Sequence, residues 1–236
     1  MRYKNTITAK FIDRPNRFVA HVELAGRAET VHVKNTGRCR ELLLPGAEVT
    51  LALAENPARK TKYDLISVYK NGLGWVNIDS QAPNAVVKAW LQAGPAQLPG
   101  ITLLKPEHVY GSSRVDFYLE LGKRKCLMEV KGCTLERDRV GYFPDAPTER
   151  GVRHLRELMD AVAQGYECYL AFVIAMPQVT EVRPNRATHP EFGEALDEAV
   201  RAGVQVLYLP CEVAPDALWI AAESVRVLRR PEQGGF

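Results

Sequence analysis

Asp116, Glu129 and Lys131 are the residues whose types and spacing speak most directly for chemistry. The runs Arg114-Val115-Asp116-Phe117-Tyr118-Leu119 and Cys126-Leu127-Met128-Glu129-Val130-Lys131 read as the two strands of a β-hairpin. Val115, Phe117, Leu119 and Leu121 share one face of the first strand, and Asp116, Tyr118 and Glu120 the other. The polar turn Gly122-Lys123-Arg124-Lys125 opens with glycine, as a hairpin loop prefers. Pairing Leu121 with Cys126 sets Asp116 opposite Lys131 and Tyr118 opposite Glu129. The two carboxylates become diagonal neighbours, roughly 7–8 Å apart at the backbone, and at that separation they can close on one divalent cation.

The residue types suit phosphodiester hydrolysis. Mg²⁺ or Mn²⁺ prefers oxygen ligands, keeps several waters and needs only one or two protein carboxylates. Asp116 and Glu129 are the expected metal ligands, with the Val130 carbonyl oxygen between them. Such a cation activates a water and polarises a phosphate. Lys131, on the same face, orients that water or offsets charge gathering on the phosphate. An Asp116–Lys131 cross-strand ion pair on a solvated face would use the same residues without catalysis.

Around these residues the chain has the size and composition of an ordinary globular protein. Its 236 residues, 46% hydrophobic and 25% charged, suffice for one large domain or two small ones. No apolar run is long enough for a membrane span and no secretory leader is visible, so a cytoplasmic protein without a membrane partner is expected. The five cysteines, Cys39, Cys126, Cys133, Cys168 and Cys211, form no Cys-x-x-Cys pair and read as buried thiols. Residues 1–80 carry 13 Lys+Arg against 8 Asp+Glu, whereas the remainder carries 18 against 20. A basic N-terminal part points to a polyanion partner.

The positioning elements follow from periodicity. Candidate strands are Thr6–Ile12, Phe18–Leu24, Thr30–Val33, Val49–Leu53, Leu65–Tyr69 and Trp75–Ile78, with Asn71-Gly72 as a hairpin turn. Five or six short strands predict a five-stranded barrel of the oligonucleotide-binding (OB) type over residues 1–80. Its binding surface is expected to include Arg38, Arg40 and the cluster Arg59, Lys60 and Lys62 beside Tyr63. A short helix over Asn84–Ala93 and the Gly/Pro punctuation after it mark a junction. Next come the hairpin and a loop through Tyr142-Phe143-Pro144. A helix follows, N-capped by Thr148 and closed at Gly165. A buried strand over Tyr169–Ala175, a helix from Pro190 to Ala202 and a strand over Val204–Leu209 complete residues 81–236 as a mixed α/β domain. Arg150 and His154 lie four apart on one face near a helix N-terminus, an end that favours anions. The last residues, Arg229 to Phe236, read as a frayed tail.

Several strings are specific enough to suggest a family. Tyr142-Phe143-Pro144-Asp145-Ala146, Thr148-Glu149-Arg150-Gly151, His154-Leu155-Arg156-Glu157-Leu158, Ser113–Phe117, Glu129–Lys131, Asn35-Thr36-Gly37, Pro45-Gly46 and Arg59-Lys60-Thr61 with Tyr63 resemble the sugar fermentation stimulation protein family, SfsA. That resemblance implies an OB-like barrel joined to a restriction-endonuclease-like, or PD-(D/E)xK, domain. It implies DNA binding and, where the site is intact, metal-dependent cleavage of DNA or RNA. Asp116, Glu129 and Lys131 take the positions of the nuclease motif, and Arg114, Arg150 and His154 match positions near it. One departure stands out: the stretch Asn84-Ala85-Val86-Val87-Lys88-Ala89-Trp90 lacks the helical acid usual in the family, and Glu107 is a possible substitute. The expected function is a DNA-binding, metal-dependent nuclease. The alternative is a non-catalytic DNA-binding regulator of sugar-utilisation genes.

Overall fold

The computed structural model describes residues 1–35, 37–56, 58–111 and 113–228. The expected tail from Arg229 onward, and Thr36 of the Asn-Thr-Gly string, lie outside them.

Six strands form the first part: β1 (Thr6–Asn16), β2 (Val19–Leu24), β3 (Arg27–Val33), β4 (Glu48–Leu53), β5 (Tyr63–Lys70) and β6 (Gly74–Asn77). They run in the order β3-β2-β1-β4-β5-β6. A parallel pairing of β3 with β5, His32 to Asp64 and Val33 to Leu65, closes the first five into a barrel. Ala20, Val22, Val31, Leu51, Leu65 and Val68 alternate inward and are fully buried. The β5–β6 turn uses Gly72 at φ 76°, where a left-handed residue is needed.

Helix α1 (Ala82–Gln92) opens the second part. Its sheet runs β15-β14-β12-β9-β8-β7, with a further strand β16 beside β14. The members are β7 (Ile101–Tyr110), β8 (Ser113–Leu121), β9 (Arg124–Cys133), β12 (Glu167–Ile174), β14 (Gln205–Ala214), β15 (Ala217–Ile220) and β16 (Arg226–Leu228). The three short strands β10 (Leu135–Arg137), β11 (Val140–Phe143) and β13 (Val182–Pro184) pair separately. Strands β9, β12 and β14 are mutually parallel, and β8 is antiparallel to β9. Helix α1 packs on one face, with Phe117, Leu119, Met128 and Val130 beneath it. Helices α2 (Glu149–Ala163) and α3 (Pro190–Ala202) contribute Val152, Leu155 and Phe192 to the other core. The Thr148 hydroxyl accepts from Gly151 N at 3.0 Å, as a cap should, and Gly203 ends α3 at φ 111°.

Three sequence expectations need correction. The hairpin pairs Leu121 with Arg124 and Leu119 with Cys126, so its turn is Gly122-Lys123 and its register is two residues from the expected one. A two-residue slip preserves the pleat, so Phe117, Leu119 and Leu121 share one core with Cys126 and Met128, whereas Val115 packs in the other core with Tyr118 and Leu127. Strand β7 stands where no strand was expected. It carries Pro106, which β7 tolerates as an edge strand. Tyr142 and Phe143 lie in β11 and not in a loop. In addition, the first three residues leave the barrel and join the second sheet. Leu218 N donates to Met1 O at 3.0 Å, and Tyr3 N donates to Asp216 O at 2.8 Å.

Candidate metal and nucleic-acid site

Glu129 and Lys131 on β9 meet His154 of α2, and Asp116 on β8 lies beside the N-terminal turn of α1. Pro83 fixes that approach. A Cβ at position 132 would sit 2.8 Å from the Pro83 ring, so only glycine lets β9 run this close to α1. Asn84 thereby reaches Asp116, donating from Nδ2 to Oδ1 at 2.8 Å. Val130 N donates to the other oxygen, Oδ2, at 2.7 Å. No cationic side chain touches Asp116 among the described residues.

Glu129 is 4% exposed. Its Oε1 accepts from Lys131 Nζ at 2.6 Å and meets His154 Nδ1 in a close contact. Arg150 Nε donates to His154 Nε2 at 3.2 Å. Arginine is a donor only, so Nε2 is the accepting nitrogen and the ring presents Nδ1–H to Glu129. The two carboxylates titrate in opposite senses. Burial and the neighbouring Glu129 charge raise Asp116, outweighing the Val130 and Asn84 hydrogen bonds and the Lys131 charge. Burial also pushes Glu129 up, but the His154 bond and the Lys131 charge overcome it and hold the carboxyl below its ordinary range.

The structure brings together Asp116, Glu129, Lys131, Arg150 and His154. It corrects the expectation of His154 as a nucleic-acid contact, since that ring is 5% exposed beneath Arg150 and Glu129. Arg114 is exposed and paired with Glu107 at 2.9 Å, so Glu107 is engaged as an ion-pair partner. Arg59 is not a free loop cation, because Asp64 takes it at 2.8 and 3.3 Å. Lys60 and Lys62 are exposed, Lys62 lying 5.3 Å from the Tyr63 ring centre.

The expected cluster of residues 59–62 does not line the cleft between the barrel and the second sheet, an open cleft of about 970 Å³. Its barrel wall carries Arg14, Arg17, Arg38 and Arg40, and its far wall Asn84, Val130 and Gly132. Sequence reasoning missed Arg14, Arg17 and the role of Asn84. The Pro15-Asn16 turn flanked by arginines was the available signal for the first two.

A divalent cation suits this arrangement. Both carboxylates and the Val130 carbonyl are hard oxygen donors, and two buried acids side by side carry negative charge that only Lys131 and hydrogen bonds offset. Among the described residues no three of His, Cys, Asp and Glu gather as a ligand cage.

Residues 12–78 match the family described as the SfsA N-terminal OB domain, and residues 81–217 the sugar fermentation stimulation protein RE domain. A sugar fermentation stimulation protein homolog of Desulfitobacterium hafniense is 52% identical over 218 residues, covering 92% of this chain and 94% of that one. Its counterpart in Ruminiclostridium cellulolyticum is 53% identical over 213 residues, covering 90% and 93%. The structure of Pyrococcus furiosus SfsA, solved in complex with Ca²⁺, matches with a TM-score of 0.80 and 28% identity over 94% of this chain and 95% of that one. With both of its domains and nearly its whole length matched, this chain belongs to the sugar fermentation stimulation protein (SfsA) family.

Proposed function

We propose that this protein is a divalent-metal-dependent nuclease that binds DNA or RNA and hydrolyses its phosphodiester bonds. The observation that carries the reading is Asp116. It is a carboxylate pressed against a second one, raised by burial and by that neighbour, and touched by no cationic side chain among the described residues. Paired acids facing a phosphate repel it unless a cation lies between them, so a pure binder has no use for the pair. The Ca²⁺ in the Pyrococcus furiosus relative supports a cation of this class, since Ca²⁺, Mg²⁺ and Mn²⁺ share oxygen ligands.

Asp116, Glu129 and the Val130 carbonyl would hold the ion, which supplies Lewis acidity and an activated water. Asn84 and the Val130 N–H keep the Asp116 carboxylate in one orientation. Lys131, anchored on Glu129, places its ammonium where negative charge gathers on the phosphate. His154 holds Glu129 through Nδ1–H, as partners behind a ligand commonly do. Arg150 spends only its Nε on His154 and keeps its other N–H groups for an adjacent phosphate. Arg38, on the cleft wall, holds the backbone without reading sequence.

A non-catalytic DNA-binding regulator is the second reading, favoured by α1 bringing Asn84 and no acid to the site. The two part in a cleavage assay on end-labelled single-stranded DNA, duplex DNA and RNA with Mg²⁺, Mn²⁺ or EDTA. The nuclease reading expects cleavage that needs metal and vanishes in Glu129→Ala. Salt-sensitive binding without cleavage by wild type would establish the regulator.

A further inference from the structure

The cleft has features that the nuclease reading does not use. Arg14 donates to the carbonyls of Gly37 at 2.9 Å, Arg38 at 3.0 Å, Arg17 at 2.7 Å and Asn35 at 2.6 Å. One guanidinium thus fastens the β1–β2 turn, which carries Arg17, to the segment that carries Arg38. Asp145, from the second domain, accepts from Arg38 N at 2.5 Å and Cys39 N at 3.1 Å and ties that segment across the cleft. Arg17, Arg38 and Arg40 are exposed and make no ion pair among the described residues.

The acids in the cleft are already engaged. Asp79 meets Lys34 at 3.1 Å, Asp13 meets His21 at 2.8 Å, and an Asp145 oxygen takes the two backbone N–H groups. Beside Arg17 stands Phe18, 54% exposed. Its backbone is fixed, with its N–H donating to Asn16 Oδ1 at 2.9 Å and its carbonyl accepting from Val33 N at 2.8 Å. Asn16 and Arg17 line the cleft, and Phe18 follows them on the same turn.

Resting on the nuclease reading, we infer that the cleft takes its substrate as a single strand, with an unpaired base stacked on Phe18 and phosphates on Arg17, Arg38 and Arg40. Basic side chains that track a backbone beside an aromatic platform are how single strands are held without sequence readout. The volume agrees. At about 970 Å³ the cleft has room for a few nucleotides in single file. Its far wall reaches Asn84 and Val130, the two residues that hold Asp116, so a strand lying in it leads to the carboxylates.

The test is fluorescence anisotropy in EDTA with labelled oligothymidylate, oligouridylate and a short DNA duplex. It uses the full chain, Phe18→Ala, Phe18→Trp and Arg17→Ala. We expect both single strands to bind more tightly than the duplex. Phe18→Ala should weaken single-strand binding by about fivefold to a hundredfold, the worth of one stacked base, and leave the duplex unchanged. Phe18→Trp should restore it, and iodouracil-substituted strands should cross-link to the peptide containing Phe18. Equal or tighter duplex binding would overturn the inference, as would a Phe18→Ala protein with unchanged single-strand affinity. Because EDTA removes the chemistry, a protein that binds as expected but never cuts would defeat the nuclease reading alone.

Discussion

Two carboxylate networks among the described residues, one around Asp64 and one around Asp116 and Glu129, are balanced differently. At the base of the barrel, Asp64 meets Arg59 at 2.8 Å, His32 at 3.0 Å and Lys34 at 3.4 Å. Lys34 also meets Asp79 at 3.1 Å, and Tyr3 donates to Asp79 at 3.2 Å. Burial raises Asp64, but its hydrogen bonds to Arg59 and His32 and the nearby Lys34 charge bring it below its ordinary range. On the second sheet, Glu129 has Lys131 and His154, while Asp116 has only an amide and a backbone N–H and is raised. The first network satisfies itself and joins the N-terminal residues, barrel and junction. The second is left short of positive charge at one position. On the proposed reading, the acid that the fold does not neutralise is where the cation would be held.

The comparison breaks most readily at Glu129. Glu129→Ala strands Lys131 and His154, so cleavage should fall to background and stability by about 3–5 kcal/mol in denaturant titration. A paired substitution follows. Asp64→Asn should lower Tm, since about 3 kcal/mol lost from a buried pair corresponds to roughly 6–12 °C for a chain of this length. Asp116→Asn removes an uncompensated charge and should leave Tm in EDTA unchanged or raised. Equal falls in the two variants would erase the distinction.

The pH dependence of Tm in EDTA sharpens it. Glu129 and Asp64 have lowered folded pKa values, so their stabilisation is full above the ordinary carboxyl range, near pH 4, and is lost as pH falls through the lowered values. Asp116 is raised, so its contribution favours the fold below its unfolded value and is lost as pH rises through the raised one. Asp116→Asn should therefore remove a decline in stability on the alkaline side of that range, and Asp64→Asn should not. Lys131→Met tests the chemistry, with metal-induced stabilisation kept and cleavage slowed by about 10²–10³-fold. The smallest effect is expected at Arg38→Ala, whose affinity should weaken across all sequences and whose salt slope should drop by about one.

Much of this was legible in the strands themselves. Alternation in 115–121 and 126–131 groups Asp116 with Glu129 and Lys131 in the expected and the observed register alike, because a slip of two residues preserves the pleat. The register itself was hidden by Arg124 and Lys125, whose charge reads as turn although Arg124 is a strand residue paired with Glu167 at 2.9 Å. Thr148, Gly165 and Gly203 announced the helix ends through their local chemistry. Burial of His154 and the tie between Asn84 and Asp116 were not legible, since both depend on how α1 and α2 meet the sheet. The same holds for the cleft, whose walls draw on residues 11–17, 37–45, 77–84, 130–134 and 143–148 together with Asn35 and Ala175.

Calorimetric titration of Ca²⁺ or Mn²⁺ into the wild type and Asp116→Asn tests the cation-seeking pair most directly. The account predicts saturable binding to the wild type that Asp116→Asn loses while remaining folded in EDTA. Binding of equal strength in the variant, or none in the wild type, would contradict it.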